Sequence, residues 1–164
     1  MKSLLKAFDN EDPAKSQQRA MTPKLLRAMY RMAGANVPIT HDTEFAIVAE
    51  LAIMGFFYAM RSCEFTHTPQ QGRTKLIRLR GIVFRDVANI VIDHNDSGLH
   101  DKAERVTLTF EDQKNGLKMD RRTHQRTGDT VLCPVKRIAS LIDRIYRIVP
   151  DAGPDTPINA TCLC

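Results

Sequence analysis

Residues 44–60 read EFAIVAELAIMGFFYAM, and the argument for the fold starts from this stretch. Its side chains are apolar nearly all the way round the helix that the run predicts, although Glu50 lies in the middle. A helix that is apolar on every side belongs at the centre of a domain rather than on its surface. The run is too short and too charged to span a membrane, so we expect no membrane partner.

Two charged residues, Arg61 and Glu64, follow this apolar run directly. They could form a local ion pair three residues apart at a helix end, which contributes only a few tenths of a kcal/mol. Alternatively, the acid fixes an arginine whose guanidinium group points at a phosphate. The spacing alone favours the local ion pair.

The composition indicates one intracellular domain with an ordinary core. The chain has 164 residues, 43% of them hydrophobic, and a net charge of +5, which suits a polyanionic partner but is shared by many proteins that bind no nucleic acid. The four cysteines are not spaced as zinc ligands, so we expect no metal and no cofactor. Without a secretory signal the thiols should be free, which places the protein in the nucleus or cytoplasm.

The periodicity predicts a mainly α fold with a small three-stranded antiparallel sheet. Residues 1–20 read as a polar linker, and residues 21–164 as one domain. Thr22 and Pro23 are typical of a helix start, and Pro134 begins a last helix. We expect the strands at residues 76–86, 105–113 and 130–134, whereas residues 88–93 either extend the first strand or pair with it.

Basic residues cluster in the second half of the predicted sheet. Lys114 lies in the turn sequence QKNG, and is either an exposed hairpin lysine or one that reaches a nucleic-acid groove or donates a proton. The surrounding segment could equally be a solvated basic loop. The residues that we expect to contact DNA phosphates are Arg73, Lys75, Arg78, Arg80, Lys118, Arg121, Arg122 and Arg126.

The order of these features resembles the catalytic core of the tyrosine recombinase, or phage-type integrase, family. In that core an apolar helix ends in G-x-R-x-x-E-(L/F), matched here by YAMRSCEF, and a lysine lies in the turn between the second and third strands, matched by FEDQKNG. The patterns QKN, TGD and LCPV are similar to those of eukaryotic mobile-element and algal members. The resemblance spans residues 22–158 and implies a role in DNA recombination and integration.

In this family a tyrosine hydroxyl attacks the scissile phosphate, while two arginines stabilise the developing charge. The resemblance implies that Arg61 is the first arginine, Glu64 its orienting acid, and Lys114 the proton donor to the leaving oxygen. The family's second motif, His-x-x-Arg, is absent from the sequence, and the three tyrosines lie upstream of the nucleophile's place. We therefore expect a truncated, integrase-like catalytic core with no activity of its own.

Three interpretations of function remain at this point. The chain is either the N-terminal part of a recombinase catalytic domain, a noncatalytic DNA-binding or interaction module, or a small helical protein unrelated to DNA. If elements that follow in the family are missing, the apolar stripe of residues 135–148 is uncovered. We would then expect a marginal fold and self-association through this helix.

Overall fold

Helices cover one face of an antiparallel sheet in the computed structural model, which describes residues 21–33, 44–65, 75–113 and 116–160. In chain order the helices are α1 (Pro23–Met32), α2 (Glu44–Tyr58), the single turns α3 (Ser62–Phe65) and α4 (Leu99–Lys102), and α5 (Pro134–Ile148). The strands are β1 (Ile82–Arg85), β2 (Val91–Ile92), β3 (Arg105–Asp112) and β4 (Lys118–Gln125). The predicted linker, residues 1–20, lies outside the described residues.

The sheet has four strands in the order β2-β1-β3-β4, and every neighbouring pair is antiparallel. The prediction of a mainly α fold with a three-stranded sheet is therefore wrong, and the fold is mixed α+β. Of the two alternatives for residues 88–93, pairing is correct, because Val91 lies opposite Arg85. The strand expected at residues 130–134 is a turn that leads into α5.

Strand β4 was missed because its sequence carries no apolar alternation. It is the last strand in the sheet order, and none of its eight residues is buried. Its neighbour β3 is predictable because Val106, Leu108 and Phe110 alternate with polar residues in the sequence, and these three are buried in the structure. An outer strand of this kind is defined by its hydrogen bonds to a neighbour and not by hydrophobic period.

The main core lies between the inner face of the sheet, α2 and α5. The apolar stripe of α5 is at its centre: Val135, Ile138 and Ile142 are fully buried. The expectation that this stripe is uncovered is wrong, because α2 and the sheet's inner face, including Phe84 on β1, already cover it. The stripe therefore offers no surface for self-association.

A buried ion pair joins the middle of α2 to α5. The carboxylate of Glu50, 5% exposed, accepts a hydrogen bond from the guanidinium of Arg144, 8% exposed. This explains why a charged residue interrupts the apolar run. An unpaired charge at this depth costs several kcal/mol, so the two helices must pack in the register that brings these side chains together.

Candidate nucleic-acid interface

Helix α2 ends in a sharp corner at Ala59, whose φ angle of 49° lies in the left-handed region. The N–H of Met60 donates to the carbonyl of Gly55 at 2.9 Å, and the N–H of Ala59 donates to that of Phe56 at 3.4 Å. These two bonds form a Schellman motif, which usually has glycine at the left-handed position. The motif fixes the direction in which the chain leaves the helix.

Two hydrogen bonds join Glu64 to the backbone of Arg61. The N–H of Arg61 donates to the carboxylate of Glu64 at 2.9 Å, and the N–H of Glu64 donates to the carbonyl of Arg61 at 2.9 Å. Glu64 is 3% exposed, whereas Arg61 is exposed. This is the acidic half of a capping box, because Glu64 satisfies the unpaired N–H of the residue that precedes α3.

The guanidinium group of Arg61 forms no ion pair within the described part of the chain. The carboxylate of Glu64 contacts the backbone of Arg61 rather than its side chain, unlike the local ion pair that the spacing favours. The acid thus positions the residue and leaves the charge of the arginine available to an external anion.

The segment at residues 75–77 joins the turn at residues 59–64, here called the Arg61 corner, to the base of the β3–β4 hairpin. The N–H of Ile77 donates to the carbonyl of Glu64 at 3.1 Å, and the N–H of Lys75 donates to the carbonyl of Asp112 at 3.3 Å. Lys114, the predicted proton donor, lies outside the described residues. Asp112 of β3 and Lys118 of β4 lie opposite each other at this end of the sheet.

The inner side of β4 is fastened to the C-terminus of α2. Arg122 donates to the carbonyl of Tyr58 at 2.9 Å, and a ring nitrogen of His124 lies 2.9 Å from the carbonyl of Phe57. Both carbonyls belong to the last turn of the helix, where no intrahelical donor is left. A cationic side chain is also favourable at this end of the helix dipole. Arg122 therefore acts as a capping residue for α2 in this structure.

Most of the other predicted DNA contacts have internal partners. Lys75 lies 3.8 Å from Glu111, and the guanidinium of Arg80 lies 2.7 Å from the same carboxylate. The remaining partners are Asp155 for Arg78, and the carbonyl of Ala103 and the carboxylate of Glu104 for Arg126. Arg73 lies outside the described residues. Net basic charge thus overstates the charge that is available at the surface.

Lys118 and Arg121 differ from these residues. Both are exposed on β4, and neither forms an ion pair with a described residue. Lys118 lies opposite Asp112 at the hairpin base, near which the Arg61 corner is held. The available positive charge at this end of the sheet is therefore that of Arg61, Lys118 and Arg121.

None of the three tyrosines is presented as a nucleophile. Tyr58 is 1% exposed, its hydroxyl donates to the carbonyl of Val106 at 3.0 Å, and burial raises its pKa. Tyr30 lies beneath the guanidinium of Arg137, 4.5 Å from the ring centroid. Burial, and then the charge of Asp93, raises the pKa of Tyr146. A hydroxyl with a raised pKa is less able to attack a phosphate at neutral pH.

No family model, no curated protein and no solved structure matches this chain. The resemblance to the tyrosine recombinases therefore stays a prediction. Within the described ranges, no helix is long and apolar enough to cross a membrane.

The left-handed corner generates a stability prediction. An alanine at positive φ is strained by about 1–2 kcal/mol, a cost that glycine escapes at a loss of about 0.5–1 kcal/mol in chain entropy. We expect Ala59→Gly to raise the free energy of unfolding by about 0.5–1 kcal/mol, measured by urea denaturation. The matched control is Ala28→Gly within α1, which should lower stability by a similar amount. Equal destabilisation by both changes would contradict the assigned corner.

Proposed function

We propose that this chain binds the phosphate backbone of DNA at the corner formed by Arg61 and the base of the β3–β4 hairpin. The observation that carries the proposal is the state of Arg61: its backbone is fixed on both sides, yet its exposed guanidinium has no ionic partner among the described residues. A guanidinium presents a planar fork that matches two oxygens of a phosphate. Preorganisation of this kind lowers the entropic cost of binding.

The same corner suits the first half of a phosphoryl-transfer site, as the resemblance implies. Arg61 would stabilise the negative charge that develops on the non-bridging phosphate oxygens. Lys114 would give its proton to the sugar oxygen that leaves when a tyrosine oxygen bonds to phosphorus. Glu64 would act as a positioning residue for Arg61, through the backbone contact that the structure shows.

We further propose that this chain, on its own, binds DNA without cutting it. Its sequence has no histidine followed three residues later by arginine, and Tyr58 is buried. A catalytic domain of the recombinase type would need the second arginine, the histidine and the nucleophile from sequence other than these residues. The alternative is a noncatalytic DNA-binding module. It would bind DNA in the same way but would not need a second arginine, a histidine or a nucleophilic tyrosine from other sequence.

Binding at the corner is tested with fluorescence anisotropy of the full chain on a labelled duplex at rising salt. We expect weak binding that is independent of sequence, and each phosphate contact should contribute about 0.9 to the slope of log affinity against log salt. Arg61→Gln should weaken binding and lower this slope by about 0.9. Because Arg61 is exposed, the substitution should leave the melting temperature unchanged.

The control for Arg61→Gln is Arg31→Gln, which removes an exposed arginine from α1, a helix whose main packing partner is α2. This variant should bind DNA with nearly the slope of the parent chain. Equal losses in the two variants would show that the corner holds no special phosphate contact. Absence of binding at low salt in folded protein would overturn the proposal.

The absence of cleavage is tested with a nicked duplex, which should trap a covalent intermediate of an active recombinase. We expect no covalent protein–DNA complex from this chain on a denaturing gel, because no tyrosine hydroxyl is both accessible and activated. An active family member serves as the positive control. A shifted band that disappears when Tyr30, Tyr58 or Tyr146 becomes phenylalanine would contradict this expectation.

A further inference from the structure

Two arginines lie directly opposite each other on the outer face of the sheet. Arg85 of β1 pairs with Arg105 of β3 in the strand register, so their side chains extend from adjacent positions. Like charges in this arrangement destabilise a sheet. Within the described part of the chain neither guanidinium forms an ion pair, and both residues are only half-exposed, which strengthens the repulsion.

One asparagine holds both side chains. Arg85 donates to the carbonyl of Asn89 at 2.9 Å, and Arg105 donates to the side-chain oxygen of the same residue at 3.2 Å. Asn89 lies in the turn between β1 and β2 with a φ angle of 67°, a conformation that asparagine tolerates better than most residues. The two guanidinium groups are thus held together on a neutral acceptor that cancels none of their charge.

The rest of the outer face continues this pattern along the strands. The hydroxyls of Thr107 and Thr123 form a hydrogen bond, with 2.8 Å between their Oγ1 atoms. One of the two donates in this bond, so the hydroxyl hydrogen of the other can donate to an external acceptor. Arg121, next to them, has no ion pair with a described residue. At the far end, by contrast, Glu111 and Asp155 neutralise Arg80. On this outer face, Arg85, Arg105 and Arg121 are therefore the described arginines without an ion pair, whereas Arg80 is neutralised.

We propose that Arg85 and Arg105 form a two-arginine fork that binds one phosphate of a DNA backbone. A phosphate between them would exchange repulsion for charge-assisted hydrogen bonds from both guanidinium groups. The neutral hydroxyls and Arg121 beyond the fork suit the sugar and phosphate oxygens of a continuing strand. The inference rests on the DNA binding proposed above, but not on the recombinase assignment, and it adds a contact on the outer face of the sheet.

The fork is tested in the full chain with the double variant Arg85→Gln/Arg105→Gln and the same labelled duplex. We expect affinity to fall about tenfold or more, as for loss of charge-assisted hydrogen bonds, and the salt slope to fall by about 0.9. The control is Lys24→Gln/Arg31→Gln, which removes two charges from α1 and should leave both quantities nearly unchanged. Equal losses in the two double variants would overturn the fork.

Thermal melting separates the fork from a folding defect. Without DNA, the fork variant should be at least as stable as the parent chain, because it removes a repulsion. Inorganic phosphate, compared with chloride at equal ionic strength, should raise the melting temperature of the parent chain more than that of the variant, which keeps only the Arg61 site. A variant that melts lower than the parent, or gains as much from phosphate, would contradict the proposal.

Two further comparisons show whether the ligand is DNA or an acidic peptide, and whether the fork or the Arg61 corner binds it. Polyglutamate should compete for the parent chain less well than unlabelled duplex, and competition as strong as that of the duplex would mean that the fork binds acidic peptides instead. Arg61→Gln is measured alongside: a loss there with none in the fork variant overturns the fork alone. No binding by the parent chain overturns the proposed function as well.

Discussion

The contact between the end of α2 and strand β4 is the constraint on which the rest of the structure depends. The apolar helix could pack in the core in several registers, but its last carbonyls, those of Phe57 and Tyr58, need donors, and His124 and Arg122 lie beside them. The buried pair of Glu50 and Arg144 fixes the same helix against α5. With both contacts made, the position of the corner after Tyr58 is set, and so is the place where the chain emerges at Arg61.

The local elements were predictable from sequence wherever one residue's chemistry determines its own surroundings. Thr22 caps α1 as predicted, and α5 begins at Pro134. Strand β4 was not predictable, because its side chains contact α2, one another and solvent rather than a continuous core. Ion pairs between distant residues could not be predicted for a related reason. Glu50 and Arg144 are 94 residues apart, and nothing in the intervening sequence indicates that they meet. Chemistry could suggest only that a glutamate inside an apolar run needs a buried cation.

The prediction of the candidate site was limited in the same way. Arg61 could be singled out because it follows a long apolar helix, and its exposure agrees with a role toward an external anion. The list of basic residues did not separate charges that serve the fold from charges that face solvent. Arg122 and Arg126 satisfy carbonyl groups of the protein itself, and Arg80 is neutralised by two acids. Conversely, Arg85 and Arg105 look ordinary in the sequence, and only the strand register brings them together.

The central claim is that the Arg61 corner, rather than the basic surface in general, contacts the phosphates of DNA. The most direct measurement is a titration of the isotopically labelled full chain with a short duplex, followed through the arginine side-chain N–H resonances by NMR. The account predicts a large change at Arg61 and little change at Arg27, whose guanidinium is already paired with Asp129. Changes confined to α1, or of equal size at both arginines, would contradict it.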